Sequence, residues 1–418
     1  MTDVEVEALV ERLFRDQWGR LLSIVIGRTG DIELAEECVQ EAFAQALDRW
    51  PSTGIPDSPE GWLVITAQRR AVDRIRRIRR GRDKLRVVAN SESTQIPYLD
   101  QDLNQDQLDS GIADERLRLL FTCCHPALAV ESQAALALRT LLGLSMHELA
   151  HGFGVGEAAM AKRLTRTKAK IRDAGIPYRV PSAARLAERL DGVLGAIYLL
   201  ANEGYVGSGV DQLTRPDLSA EALRLAELVV ELMPDEPEAI GLLALLILHR
   251  ARADSRTDVD GALVPMEEQD RASWDRTMID RGLRLLVGAG RAERLGPYQV
   301  QAMIAGCHLA AARSVDTDRN RIVILYDTLL RMAPSPAVRL NRIIAIAMRD
   351  GPESGLVLLD TVDPGELPTD HLVSATRADL LRRLGRRTEA EAHYRAAIEL
   401  TANDGERRYL QRRLSEVS

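Results

Sequence analysis

Aromatic side chains make up only 4% of the 418 residues, while Ala, Leu and Arg are abundant. That balance belongs to all-helical proteins and excludes strand-rich ones. Cysteine is scarce as well. Four residues (Cys38, Cys123, Cys124, Cys307) in so long a chain form no disulfide framework, and a reducing, cytoplasmic setting is expected. Long apolar runs are missing. The longest, Ile240 to Leu248, is too short to cross a bilayer, and no targeting segment is expected ahead of the first helix. Nor is there a basic excess: the net charge is −7, which excludes a protein that coats nucleic acid over its whole surface. The length suggests two to four domains.

The cations present are concentrated. From Ser145 to Arg172 the chain reads SMHELAHGFGVGEAAMAKRLTRTKAKIR. A short helix with Met146, Leu149 and Ala150 leads through Gly152-Phe153-Gly154 into a second, basic helix. Two helices on so short a turn can set one helix in a major groove while the other crosses the backbone. In the second helix Met160, Leu164, Thr167 and Ile171 recur at i, i+4, i+7 and i+11 and point inward. Ala159, Lys162, Arg163, Arg166 and Lys170 point elsewhere. Six cations and one acid between Gly156 and Arg172 make a footprint for phosphate.

Residues 1–90 read as one unit. Val4 to Ile26 forms a helix with Leu9, Leu13, Leu21 and Leu22 apolar. A second helix starts at Asp31 and buries Ala35, Cys38, Val39, Ala42, Phe43, Ala46 and Leu47. Its other face carries Glu33, Glu36, Glu37, Gln40, Glu41 and Gln45. Three prolines interrupt residues 51–59. A third helix follows behind an N-capping Ser58, with Pro59 at its first position and a stripe of Val64, Ala67, Ala71, Ile75 and Ile78. Ten cations against two acids between Arg69 and Arg86 favour a polyphosphate over an anionic membrane.

Residues 91–113 sit within a stretch free of Lys and Arg and rich in Asp, Ser, Gln and Asn, an acidic flexible linker by composition. Residues 114–178 form a second unit that ends in the helix–turn–helix. Residues 179–418 read as a helical array. Leu384-Gly385, Ala390, Tyr394, Ala397 and Leu400 follow a tetratricopeptide pattern, echoed at Glu221-Ala222, Ala226, Val229, Leu232 and Pro234, and at Tyr326, Leu329, Met332 and Pro334. Long loops are expected over Gly204–Asp217 and Asp254–Asp270.

His147-Glu148-Leu149-Ala150-His151 matches the H-E-x-x-H pattern of zinc hydrolases, in which two histidines one turn apart hold the metal. A closed turn and a basic helix follow at once, and apart from the nearby acid Glu157 no obvious third ligand lies at close range, so no metal site is assigned. Cys123-Cys124-His125 lacks the spacing of a zinc knuckle and reads as buried structural thiols. No cofactor is expected.

The stretches DIELAEECVQEAFAQAL and GWLVITAQRRAVDRIRR resemble domain two of bacterial RNA polymerase sigma factors, and the helix–turn–helix unit resembles domain four. With nothing but the linker between them, the arrangement is similar to extracytoplasmic-function (group IV) sigma factors. FTCCHPAL at 121–128, NEGY at 202–205 and PSPAVRLNR from Pro334 resemble the subgroup with a long C-terminal helical extension. Two features depart from the family pattern. The usual S-Y-E-E-I-A is Ser145-Met-His-Glu-Leu-Ala150, and the usual Ser or Thr at the recognition-helix start is replaced by Glu157-Ala158-Ala159.

The resemblance implies a non-enzymatic promoter-specificity subunit with core polymerase (its β′ and β subunits) and promoter DNA as partners, and no membrane. Glu37, Gln40 and Glu41 would bind the β′ coiled coil. Trp62, Arg69, Arg70, Arg76 and Arg77 would face the minus-ten element, with the 51–60 loop trapping an unstacked base. Glu157, Ala158, Ala159, Lys162, Arg163 and Arg166 would face the minus-thirty-five element. The extension would control activity through a regulatory protein or ligand. Two rivals stand beside this reading: a zinc hydrolase through residues 147–151, and a helix–turn–helix repressor on a tetratricopeptide scaffold.

Overall fold

A computed structural model describes residues 3–88, 112, 114–153, 155–174, 182, 185–205, 216–367, 371–401 and 403–418. The fold is all-α. Among the described residues the one β-type pairing is an isolated bridge between Thr257 and Leu263. The chain divides into two compact units, residues 1–196 and 197–418. The acidic linker expected over 91–113 lies outside the described residues except for Ile112.

In the first unit, α1 (Asp3–Thr29), α2 (Ile32–Thr53) and α3 (Pro59–Val88) pack on one another. Gly30, at φ 64°, turns the chain between α1 and α2 in a conformation that costs glycine little. Asp31 then caps α2 by accepting from the Glu33 and Leu34 amides at 2.9 and 3.1 Å. Ser58 caps α3, its hydroxyl accepting from the Gly61 amide at 3.3 Å. The buried stripe of α3 is Leu63, Ala67 and Ala71. Ala67 and Ala71 lie where expected, but at the head of the stripe Leu63 is buried in place of the expected Val64, which is only half-buried, as is Ile75; the Ile78 side chain lies outside the described residues. In the apolar run Trp62-Leu63-Val64-Ile65, hydrophobicity alone cannot say which residue faces in. Leu47 also departs from expectation, being 44% exposed. It borders an apolar groove of about 880 Å³ between α1 and α2, lined by Val10, Phe14, Gln40 and Phe43 among others.

Next come α4 (Glu115–Cys123), α5 (Val130–Leu142), α6 (Met146–Gly152) and α7 (Glu157–Asp173). α4 and α5 pack against each other and both lie on α1. Met160, Leu164, Thr167 and Ile171 are the buried residues of α7, as their spacing requires. The unit continues past residue 178. Leu186, Leu190, Val193 and Leu194 are buried, and the division between units falls within α8 (Leu190–Tyr205).

The second unit runs α9 (Pro216–Leu232), α10 (Pro237–Arg250), α11 (Arg276–Gly290), α12 (Pro297–Ala310), α13 (Arg319–Met332), α14 (Pro336–Asp350), α15 (Pro352–Thr361), α16 (His371–Arg383), α17 (Arg387–Leu400) and α18 (Asp404–Val417). From α12 onward each helix packs on the next, so the core is a succession of small clusters. α10 is central, packed against α9, α11 and α12, with every residue from Gly241 to Leu248 buried. Ala222, Ala226, Ala390 and Ala397 are buried, while Leu400 and Met332 are exposed. Much of the loop 254–270 is held by α18. The Leu263 amide donates to the Gly405 carbonyl at 3.2 Å, Arg412 meets Asp258 at 3.0 Å, and Arg413 meets Glu268. Residues 206–215 of the other expected loop lie outside the described residues.

Candidate nucleic-acid and protein interface

Two surfaces of the first unit carry the expected residues. The first is the N-terminal half of α7. Glu157, Ala158 and Ala159 are exposed in sequence, followed by exposed Lys162 and Arg166. Arg163 is half-buried, with its guanidinium 5.6 Å from the Phe153 ring centre. The turn therefore orients this arginine by a cation–π contact. Two small Ala side chains, with cations on the next turn, leave a backbone that can approach another surface closely.

In the same region two residues of the H-E-x-x-H pattern have partners within the protein. Glu148 closes a capping box: its carboxylate accepts from the Ser145 amide at 2.6 Å, while its own amide donates to the Ser145 hydroxyl at 3.2 Å. His147 turns to Glu157, with Nδ1 3.0 Å from its carboxylate. This contact joins the two helices of the motif. The His151 side chain lies outside the described residues, and no cluster of metal-binding side chains occurs among those described.

The second surface is made by α2 and α3. Arg69, Arg76 and Arg77 are exposed. Arg69 and Arg76 line a shallow groove of about 410 Å³ with Arg28, Ile65, Gln68, Val72 and Asp73. Arg70 faces elsewhere, 3.6 Å from Glu41 and next to Gln45 on α2. Arg74, which sequence reasoning passed over, reaches Glu41 at 2.7 Å and Glu37 at 3.1 Å. Its guanidinium is held protonated by those carboxylates, Glu41 first. The acidic face of α2 thus has an internal basic neighbour. Exposed Leu47 and Gln40 extend that face to the apolar groove. Trp62 is half-buried and meets Trp50 edge-on, ring centres 5.5 Å apart; the loop beyond Trp50 is shorter than expected, because α2 continues through Pro51 to Thr53.

The cysteines behave as packing residues. Burial pushes the Cys38 thiol up to about 11 and Cys123 to about 12, and raises Cys124 well above its ordinary value. Burial therefore holds these three thiols protonated near neutral pH. The turn after them is held from far along the chain. Arg189, 9% exposed, donates to the Phe121 carbonyl at 2.7 Å and the Thr122 carbonyl at 3.4 Å. Gln133 donates to the carbonyls of His125 and Leu128 at 3.0 and 2.9 Å. Gly192 lies so close that a methyl group there would meet the Gln133 amide at 1.9 Å. Nothing in the sequence marked Arg189, because its acceptors are backbone carbonyls 67 and 68 residues away.

Comparison with known proteins matches both ends of this description. Residues 13–81, essentially α1 to α3, match sigma-70 region 2. Residues 189–290 match a family of unknown function, DUF6596, which begins at Arg189. An uncharacterized protein of Rhizobium meliloti (strain 1021) is 41% identical over 392 residues, 93% of this chain and 91% of that protein. The "Probable ECF RNA polymerase sigma factor SigI" of Mycobacterium tuberculosis is 25% identical over 184 residues, 43% of this chain and 60% of that protein. No solved structure matches.

Proposed function

We propose that this chain, which belongs to the same family as the Rhizobium meliloti protein and matches sigma-70 region 2 over residues 13–81, is an alternative, group IV sigma factor of bacterial RNA polymerase. In this reading it binds core polymerase, recognises the minus-thirty-five and minus-ten elements, and directs initiation in the cytoplasm, while catalysis belongs to the polymerase. The observation that carries the proposal is the pairing of two surfaces in one unit. One is a region-2 helix trio with a cationic groove at Arg69 and Arg76. The other is a helix–turn–helix whose second helix presents Glu157, Ala158, Ala159, Lys162 and Arg166 outward.

Residue roles follow from placement. Lys162, Arg163 and Arg166 would meet the upstream duplex, where a bidentate Arg–guanine contact contributes roughly 1–3 kcal/mol of discrimination. Arg69, Arg76 and Arg77 would hold phosphates near the melted element. Glu37, Gln40 and Glu41, with the groove beside Leu47, would take the polymerase coiled coil, which would displace Arg74 from its carboxylates. Arg70 faces α2, so its role is to brace that face. The helical extension would control activity by way of a regulatory protein or ligand.

Run-off transcription with purified core polymerase and a promoter near the chain's own gene tests the proposal. Specific transcripts only when the protein is added are expected. Absence of transcripts together with absence of core-polymerase binding would overturn it.

A further inference from the structure

The first turn of α7 sets an acid ahead of a row of cations. Glu157 follows directly on the N-capping Gly156 and precedes exposed Lys162 and Arg166. Its carboxylate is held. His147 of α6 brings Nδ1 to 3.0 Å from Oε1. A carboxylate can only accept, so Nδ1 carries the proton and donates. The His147 side chain is 67% exposed and that of Glu157 58%, and a pair so open to water contributes little to stability. What the bond does is fix direction. It restrains a side chain with three torsions and occupies one acceptor position of a group that offers about four over its two oxygens. Arg163 is oriented on the same turn by the Phe153 ring.

An oriented acid on this helix has a defined chemical consequence. The N-terminal residues of the second helix in a helix–turn–helix meet base edges, while the first helix crosses the backbone. In the major groove guanine presents N7 and O6 and thymine presents O4, all acceptors that repel a carboxylate. Adenine presents a donor beside an acceptor. Cytosine presents its N4 amino group, from which Glu accepts. Ala158 and Ala159 are too small to compete for that base. Lys162, Arg163 and Arg166 supply the attraction to phosphate that a carboxylate opposes. Glu157 therefore lowers affinity for most sequences, and only an amino group across from it offsets the loss.

We propose that Glu157 is a specificity-determining residue that reads one cytosine of the duplex held by α7, and that His147 is its positioning residue. The proposal rests on the sigma-factor reading only for the identity of that duplex, the minus-thirty-five element. His147 and the Glu157-Ala158-Ala159 run both stand where this chain departs from the family pattern, so the pair is a feature of this chain. Because selection works by charge, removal of the carboxylate acts in opposite directions on different promoters. A pair that merely stapled α6 to α7 would act on all promoters alike.

The test is the base preference of initiation, measured with the full chain, purified core polymerase and a promoter near the chain's own gene. Each base pair of the upstream element is replaced in turn by the other three. One position is expected at which the native protein favours cytosine about tenfold over guanine or thymine. Glu157→Ala should flatten that position to within about twofold, with initiation raised on the guanine and thymine promoters. Glu157→Gln should move the optimum there to adenine, whose N6 and N7 suit an amide, a gain that misfolding cannot mimic. His147→Ala should cut the preference to about threefold, since an exposed pair is worth that much. His147→Asn, which sets an amide N–H near the place of Nδ1, should restore it. An unchanged preference in Glu157→Ala would overturn the proposal. So would a uniform loss on every promoter, the signature of a staple. A preference lost in Glu157→Ala and intact in His147→Ala would overturn the positioning role. If the native protein supports no initiation with core polymerase, the sigma-factor reading falls, and duplexes are instead selected from a random pool by the protein alone. A cytosine preference that disappears in Glu157→Ala would then sustain the proposal. A pool left unenriched, or enriched without cytosine, would overturn it too.

Discussion

Single side chains here take roles that their sequence motifs do not announce. Glu148 stands where a zinc hydrolase has its general base, yet it spends its carboxylate on the Ser145 amide. Replacing it with Ala should destabilise the helix–turn–helix by about 1 kcal/mol, as loss of a capping box does. Metal content should not change, and elemental analysis beside a thermal melt checks both. Arg189 is the converse case, a plain arginine holding a structural post. Arg189→Met would leave the Phe121 and Thr122 carbonyls unpaired in the interior and should cost the first unit roughly 2–3 kcal/mol. Chemical denaturation followed through the unit's tryptophans would show it, and a variant as stable as the parent would refute the role. On the outward half of α7, Arg166→Ala should weaken binding to the upstream element by about 1–3 kcal/mol and relax its sequence preference. If only the salt dependence changes, by a slope of about one, Arg166 touches phosphate and not a base.

Helices differ in how much of their placement could be read in advance. The buried face of α7 was readable because four residues at helical spacing have no competing register. In α3 the buried Ala67 and Ala71 were equally readable, but four apolar side chains adjoin at its start, and there Leu63 and not Val64 faces the core. The role of α3 was partly misread too. Arg70 and Arg74 look like their neighbours in a basic run, but the helical turn aims them at Glu41, a partner 29 and 33 residues earlier in the chain. Such pairings depend on how two helices cross, which composition does not encode. The same is true of α10 and α12 in the second unit. Glu238, in the first turn of α10, accepts from the Tyr298 and Gln299 amides at 3.0 and 3.1 Å and so caps the neighbouring helix. The carboxylate also faces the positive end of the α12 dipole. Glu238→Gln keeps the shape and removes the charge, and should cost about 1 kcal/mol. Glu238→Ala should cost about 2 kcal/mol. Equal melting of the two variants would mean that the cap works by charge alone, and a Gln variant as stable as the parent would mean that it works by shape and hydrogen bonding.

For the chain as a whole, the boundaries read from composition and those seen in the fold part company at one place. Composition ends the helix–turn–helix domain at 178, but Leu186 and Arg189 are buried within the first unit, which extends to residue 196. A truncation at 178 would therefore remove part of that unit's interior together with the extension. The effect of the extension is better probed by conditions that loosen the second unit and leave the chain intact, and that unit offers one. His249 on α10 is held down at about 3 by burial and by Arg252 and Arg256; His308 on α12 is held at about 4 by burial and by Arg252, Arg271 and Arg319. Both imidazoles are neutral in the folded unit, whereas the unfolded chain takes up protons at the ordinary value of 6.5. Below pH 6.5 the unfolded state binds more protons, so stability falls as pH falls, through the window from 6.5 toward 4 and then 3. Each histidine keeps some access to solvent, which limits its share to about 1–2 kcal/mol by pH 5. Calorimetry of the full chain should show the second unit losing stability between pH 7 and pH 5, with the loss reduced by about half in His249→Leu. A pH profile unaltered by that substitution would place the acid sensitivity elsewhere. A profile that flattens would supply a way to release the second unit selectively and read the consequence for promoter binding by the first.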